Sequence, residues 1–270
     1  QTAERGLLAQ SMSVQGLIAR NAGDLHLSLP ACIAADARDP FHAPLPWRGA
    51  QVEGPIRVAL SFDDFGFGLD PAVRTALEAA AGALSDAGYA VEEVEPPLAR
   101  ETGEIGYRAL MGEVKVLLGA DIHTHGSEVL NAIFEEYYRQ FPPFEGADLM
   151  RALAQRSHYA RAWSVFLEDR PLVLSPFMLT PFFTPGRDAE GAAGVREALG
   201  AAHWSFIMNF LGLPAGNLPT HVADLPQGPH PIGVQIAGRR WREDLIVDAM
   251  EAIESALPPV CDGLWALMEK

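Results

Sequence analysis

The sequence predicts an α/β fold, a mixed sheet flanked by helices, and three stretches carry that prediction. Residues 56–94 read as strand, helix, strand; 172–175 are a short continuous apolar run; and 217–222 with 232–236 make two more apolar runs around a Pro/Gly-rich break. Between them lie long segments with apolar residues at helical spacing. No internal repeat and no long linker divides the chain.

Taken in order, residues 1–15 are polar and predict irregular structure. Leu17, Ile18, Leu25 and Leu29 then predict a helix beginning near Asn21, whose side chain can cap it, and ending or kinking at Pro30. Four prolines between Asp36 and Pro55 predict a surface crossing loop. Ile56 to Ser61 is the first strand. Asp70 caps a helix with Pro71 at its first position, and Val73, Leu77, Ala80 and Leu84 line one face. Gly88 closes that helix and Tyr89 to Val94 is the second strand, which predicts a crossover between parallel neighbours.

Residues 101–169 predict helices broken at Gly119, around His123 to Gly126, and at Phe141-Pro142-Pro143. Leu172 to Ser175 is a buried strand leading into a proline-punctuated loop. A helix from Ala192 to Phe210 places Trp204, Ile207 and Met208 on its apolar side. The last two strands are expected to pair around an exposed loop at Asp224 to His230. A final helix begins near Trp241 with Glu243 and Asp244 in its first turn, where acids suit the helix dipole.

Composition excludes several function classes. With 49% hydrophobic and 20% charged residues the chain is not disordered, and no run approaches the ~20 apolar residues of a membrane span. Two distant cysteines, Cys32 and Cys261, make no disulfide framework or zinc knuckle, so the reducing cytoplasm is the expected compartment. The formal net charge of −15 would repel phosphates, and no basic stripe argues for nucleic acid. The first residue is Gln1 and no targeting pattern precedes the folded region, so the chain reads as a fragment or processed product.

Several motifs invite a chemistry. Asp121 and His123-Thr124-His125 would place two imidazoles on one face of a strand, half of a metal site, although the solvated turn is the plainer reading. Gly66-Phe67-Gly68 follows a strand and precedes a helix, but a third glycine is lacking and Asp63, Asp64 and Asp70 would repel a pyrophosphate. Tyr137-Tyr138 and the trio Phe177, Phe182 and Phe183 either line a channel or fill a core. No Gly-x-Ser-x-Gly elbow is present.

The most distinctive stretch runs Asn209-Phe210-Leu211-Gly212-Leu213-Pro214-Ala215-Gly216-Asn217, then Pro231-Ile232-Gly233-Val234-Gln235-Ile236-Ala237-Gly238. Upstream and in matching order stand Ser13 to Arg20, Asp36-Ala37-Arg38-Asp39-Pro40, and Leu172-Val173-Leu174-Ser175-Pro176. Together these resemble the amidase signature family over essentially the whole chain, with Leu17 where the family has proline and Arg170-Pro171 where an acid is usual.

The resemblance implies the amidase signature fold and hydrolysis of a C–N amide bond to a carboxylate and ammonia or an amine. It implies no metal or organic cofactor. It also implies a Ser–Ser–Lys triad within a Gly/Ser-rich signature, in which one serine attacks, the second relays a proton and the lysine acts as base. These 270 residues contain no Ser-Ser pair and only Lys115 and Lys270, so the resemblance predicts the C-terminal portion of a single amidase domain (1–270), with its N-terminal catalytic portion missing and the chain inactive alone. What carries over is a substrate-pocket side: Trp204, Ser205, Met208, Asn209, Trp241 and Tyr159, each of which ordinary core packing would also explain. The expected partners are a small-molecule amide and the missing part of the same enzyme, with a homo-oligomer also in view and neither nucleic acid nor membrane. Two alternatives stay open, a metal-dependent amidohydrolase using His123 and His125, and a truncated relative that binds a ligand or partner without catalysis.

Overall fold

The computed structural model describes residues 6–268. One five-stranded mixed sheet runs in the order β2-β1-β3-β5-β4, with β1 at Arg57–Leu60, β2 at Ala90–Glu93, β3 at Leu172–Pro176, β4 at Ala215–Leu225 and β5 at Gly228–Gly238. The predicted crossover is present. β1 and β2 are parallel with Val58 opposite Val91, joined by helix α3 (Pro71–Asp86). The Asp70 carboxylate accepts the Ala72 N–H at 2.8 Å, so the cap forms where the sequence places it. β3 is parallel to β1, while β5 is antiparallel to β3 and to β4.

Strand alternation divides the apolar side chains between two cores. Val58, Leu60, Leu172, Leu174, Val234 and Ile236 face α3, α2 (Ala22–Cys32) and α9 (Glu243–Ala256). Ala59, Val173 and Ala237 face the other way, toward α4 (Ala99–His125), α6 (Gly146–Asp169), α7 (Ala192–Ala201) and α8 (His203–Leu211). The two layers of helices cover both faces of the sheet, whose parallel strands β1 and β3 are mainly apolar, as burial on both sides favours.

Several local expectations change. Residues 7–12, expected to be irregular, form helix α1 (Leu7–Met12); residues 1–5 of that segment lie outside the described residues. The cause is distant in sequence. The buried Glu113 carboxylate of α4 accepts the N–H groups of Leu8 and Ala9 at 2.8 and 3.0 Å, supplying from outside the cap that Gly6 lacks. Pro30 does not end α2, which runs on to Cys32, since a proline this near a helix end removes few helical bonds. α4 passes through Gly119 unbroken, a glycine costing a helix only about 1 kcal/mol, and α5 (Glu128–Gln140) follows the break at Gly126. The predicted helix 192–210 is two helices meeting at Ala202.

β4 and β5 pair as expected, but the loop at 224–230 is mostly strand. The ladder continues through Asp224 opposite Pro229 to Leu225 opposite Gly228, leaving a tight turn at Pro226 and Gln227. These residues are exposed or half-buried, as predicted. No helix among the described residues is long and apolar enough to cross a membrane.

Candidate functional site

The sheet positions a cavity. From β1 the chain goes to one side through α3 to β2, and from β2 it returns through α4–α6 to β3 on the other side of β1. The loops leaving the carboxyl ends of β1 and β3 therefore part company, and a crevice at such a switch point is the usual ligand position in an open α/β sheet. Backbone bonds brace it: Asp70 N–H to Leu179 O and Leu179 N–H to Ala201 O, both 2.9 Å, tie the β1–α3 loop to the loop after β3 and to the end of α7.

Above this junction lies a cavity of about 630 Å³, within the size range of small-molecule sites. Phe65 and Phe67 from the β1–α3 loop, Phe141 after α5, and His203 at the start of α8 form its aromatic floor. Arg100, Glu104 and Arg108 line one wall; their spacing of four puts them in one stripe along α4. Arg196 of α7 faces them, and Glu136 and Gln140 of α5 complete the rim.

Phe65 is fully buried and sits at φ 52°, left-handed backbone that a non-glycine residue adopts at a cost. The Asp63 carboxylate accepts its N–H at 2.8 Å and a guanidinium N–H of Arg100 donates to its carbonyl oxygen. The loop is thus held in a strained shape by polar contacts on both sides, and the ring is aimed at His203, with centroids 4.3 Å apart.

His203 is buried, and neither ring nitrogen makes a hydrogen bond of good geometry. Burial pulls its pKa down to about 4, and the Arg100 guanidinium pushes the same way; the Arg100 backbone opposes them and loses. The imidazole is neutral at pH 7. Because this value lies below the 6.5 of the free side chain, the unfolded chain takes up the proton first as pH falls. The stability due to neutral His203 is complete above pH 6.5, drains through the intervening range and is gone below about 4. We expect this one group to cost the fold a few kcal/mol over that range, at about 1.4 kcal/mol for each tenfold in proton affinity. Urea unfolding at stepped pH, compared with His203→Gln, checks it. Parallel pH profiles for the two proteins would refute the assignment.

The sequence-predicted pocket residues divide. Trp204 and Met208 are buried and belong to the same core as Phe65; Trp204 packs on Phe65 at 5.1 Å and its indole N–H donates to Asp63 O at 2.9 Å. Trp204 therefore stands behind the cavity floor. Tyr159 is half-buried at the edge of that core, against His158. Ser205 spends its hydroxyl on Ala202 O at 2.9 Å, and Asn209 is exposed. Trp241 lies apart, 53% exposed at φ 64°, on a smaller cavity of about 250 Å³ shared with Leu45, Pro46, Arg239 and Arg242. His123 and His125 lie in the last turn of α4, both exposed. Two residues apart on a helix, they point about 200° away from each other rather than to one side.

Reading the sequence does not mark Phe65, His203 or the three arginines as cavity residues, and singles out Phe67 only within the Gly66-Phe67-Gly68 turn. The fourfold spacing of Arg100, Glu104 and Arg108 within a helical stretch was the available signal.

The amidase family model matches residues 4–247 of the chain. The chain belongs to the amidase family. An indoleacetamide hydrolase of Bradyrhizobium japonicum is 36% identical over 269 residues, 99% of this chain and 57% of that protein. The chain spans about half the length of the curated relatives it matches: a second indoleacetamide hydrolase, from Bradyrhizobium diazoefficiens, is covered to 51% at the same identity. Among solved structures, 6-aminohexanoate cyclic dimer hydrolase superposes with a TM-score of 0.68 at 22% identity, over 89% of this chain and 54% of that one. These match the amidase fold that the sequence resemblance implied.

Proposed function

We propose that this chain is the pocket-bearing portion of an amide hydrolase acting on small amides with an aromatic acyl group, and that the Ser–Ser–Lys machinery lies outside these 270 residues. The observation that carries the reading is the 36% identity to indoleacetamide hydrolase along 99% of the chain. The cavity supports the substrate class: the half-buried rings of Phe67 and Phe141, backed by the buried Phe65 and His203, give an aromatic lining for a flat acyl group. In this reading Trp204 and Met208 hold the floor from behind, Trp204 through Phe65. The two-histidine metal reading loses its premise, since the helix turns His123 and His125 apart.

The chemistry on this chain's side is binding and orientation. An aromatic acyl group held against Phe67 and Phe141 would present its amide toward groups supplied by the rest of the protein, and the buried residues behind them would keep water from the apolar part. The test is ammonia release from phenylacetamide and related amides by the protein with whatever sequence precedes Gln1 in its gene. Formation of the acid supports the reading. A folded protein that turns over neither aryl nor aliphatic amides overturns it.

A further inference from the structure

The rim of the main cavity gathers three arginines that no acid pairs among the described residues, an arrangement shared outside it by Arg156 and Arg240 on the Phe210 and Leu211 carbonyls. Most other arginines among the described residues sit against acids: Arg57 reaches Glu92 at 3.0 Å and Asp169 at 2.5 Å, Arg187 reaches Glu197 at 2.9 Å, and Arg242 reaches the buried Asp244 at 2.9 Å. Arg100, Arg108 and Arg196 do otherwise. Among the described residues none of the three pairs with a carboxylate. Arg100 is fixed to Phe65 O, Arg108 donates to Pro142 O at 2.9 Å and lies over the Phe144 ring, and Arg196 donates to Gly66 O at 3.4 Å over the Phe67 ring. Backbone carbonyls and aromatic faces thus position each guanidinium without neutralising it.

The acids nearby do not cancel them. Glu136 is already engaged by Arg139 and by the Gln140 amide. That leaves Glu104 against three guanidiniums around one opening, in a chain whose net charge is −15. Below them lie the half-buried rings of Phe67 and Phe141, beside the buried Phe65 and His203. Donors with unused N–H groups above and stacking faces beneath match a molecule with a flat ring at one end and an anion at the other.

We propose that this cavity binds a small aromatic carboxylate, the ring against the half-buried Phe67 and Phe141 side chains and the carboxylate among Arg108, Arg196 and Arg100. This deepens the reading of the same site: an aromatic acid is what the proposed hydrolysis releases, and that link, though not the binding itself, rests on the amidase reading. A protein built this way would retain its acid product and be inhibited by it.

The experiment is calorimetric titration of the 270-residue chain near pH 7.5 with phenylacetate, phenylacetamide and acetate. Phenylacetate should bind saturably, and phenylacetamide and acetate at least about tenfold more weakly, since one lacks the charge and the other the ring. Arg196→Gln and Arg108→Gln should each weaken phenylacetate about tenfold while unfolding midpoint and circular dichroism stay as in the parent. Rising salt should weaken phenylacetate and leave phenylacetamide unchanged. Equal binding of acid and amide, no saturation with phenylacetate, or affinity untouched in both variants would overturn the proposal. Failure of the amide assay in the longer protein would sink the hydrolase reading and leave this binding result standing, so the two can be told apart.

Discussion

Incubated with a panel of aryl and aliphatic primary amides, the 270-residue chain alone should release no ammonia above background. Amide hydrolysis near neutral pH needs an activated nucleophile and a stabilised oxyanion, and removing such a set costs on the order of 10⁶ in rate. The candidates within the chain are spoken for. Ser61 is buried and donates its hydroxyl to Glu95; Ser175 is buried, donates to Pro176 O at 3.2 Å and accepts from Gln235 Nε2 at 3.2 Å. Neither has a lysine beside it. Lys115 is exposed on α4 and bonded to Glu145 at 2.6 Å, and that carboxylate raises its pKa above the ordinary lysine value. A base must be neutral to accept a proton, and this one is held charged. Turnover that survives metal chelation and disappears when one serine of this chain is replaced would overturn the expectation.

The largest loss of stability among the site residues is expected for Trp204→Ala. The indole is fully buried and packs on Phe65, and removing such a ring costs about 3–5 kcal/mol. The same change strips Asp63 O of its donor in the loop that holds Phe65 at positive φ. Trp204→Phe should keep most of the packing and lose the N–H, at about 1–2 kcal/mol. Denaturant unfolding with an unchanged slope is the measurement. A cost below about 1 kcal/mol for the alanine variant would mean that this wall is not braced as the geometry indicates. Loss of the brace should also lower phenylacetate affinity, because the floor of the cavity would relax.

The crossover from β1 to β2 was legible because local chemistry decides it: Asp70, Pro71 and Gly88 mark the helix ends, and alternating apolar residues mark the strands. The β4–β5 pair was legible in its partners and not in its reach. Pro226, Pro229 and Pro231 argue against strand, yet Pro229 and Pro231 lie where β5 has outrun β3, whose ladder stops at Pro176 opposite Val234. On that open side a missing N–H deprives no neighbour. Helix α1 was illegible because its cap, Glu113, is more than a hundred residues away. The cavity was illegible for a similar reason. It is assembled from residues 65–67, 100–108, 136–141 and 192–203, and only the α4 stripe repeats at a spacing a sequence can show. The family resemblance rested on Gly-Leu-Pro-Ala and its companions, which mark the core around the cavity and leave its rim unnamed.

The mixed polarity of the sheet has a kinetic consequence. β4 and β5 are joined by a tight turn and can zip within microseconds, and β1 and β2 need only the α3 crossover to close. β3 instead meets β1 across α3, β2 and the three helices α4–α6, so the long-range closure is the slow event and β3 is the seam between two early assemblies. That seam carries a polar checkpoint. Ser175 stands opposite Gln235 and accepts a hydrogen bond from its buried amide; a slip of one residue would turn Gln235 to the other face of the sheet and part it from Ser175. An unpartnered buried amide costs about 1–3 kcal/mol, enough to reverse a faulty docking before the helices of either layer close over it.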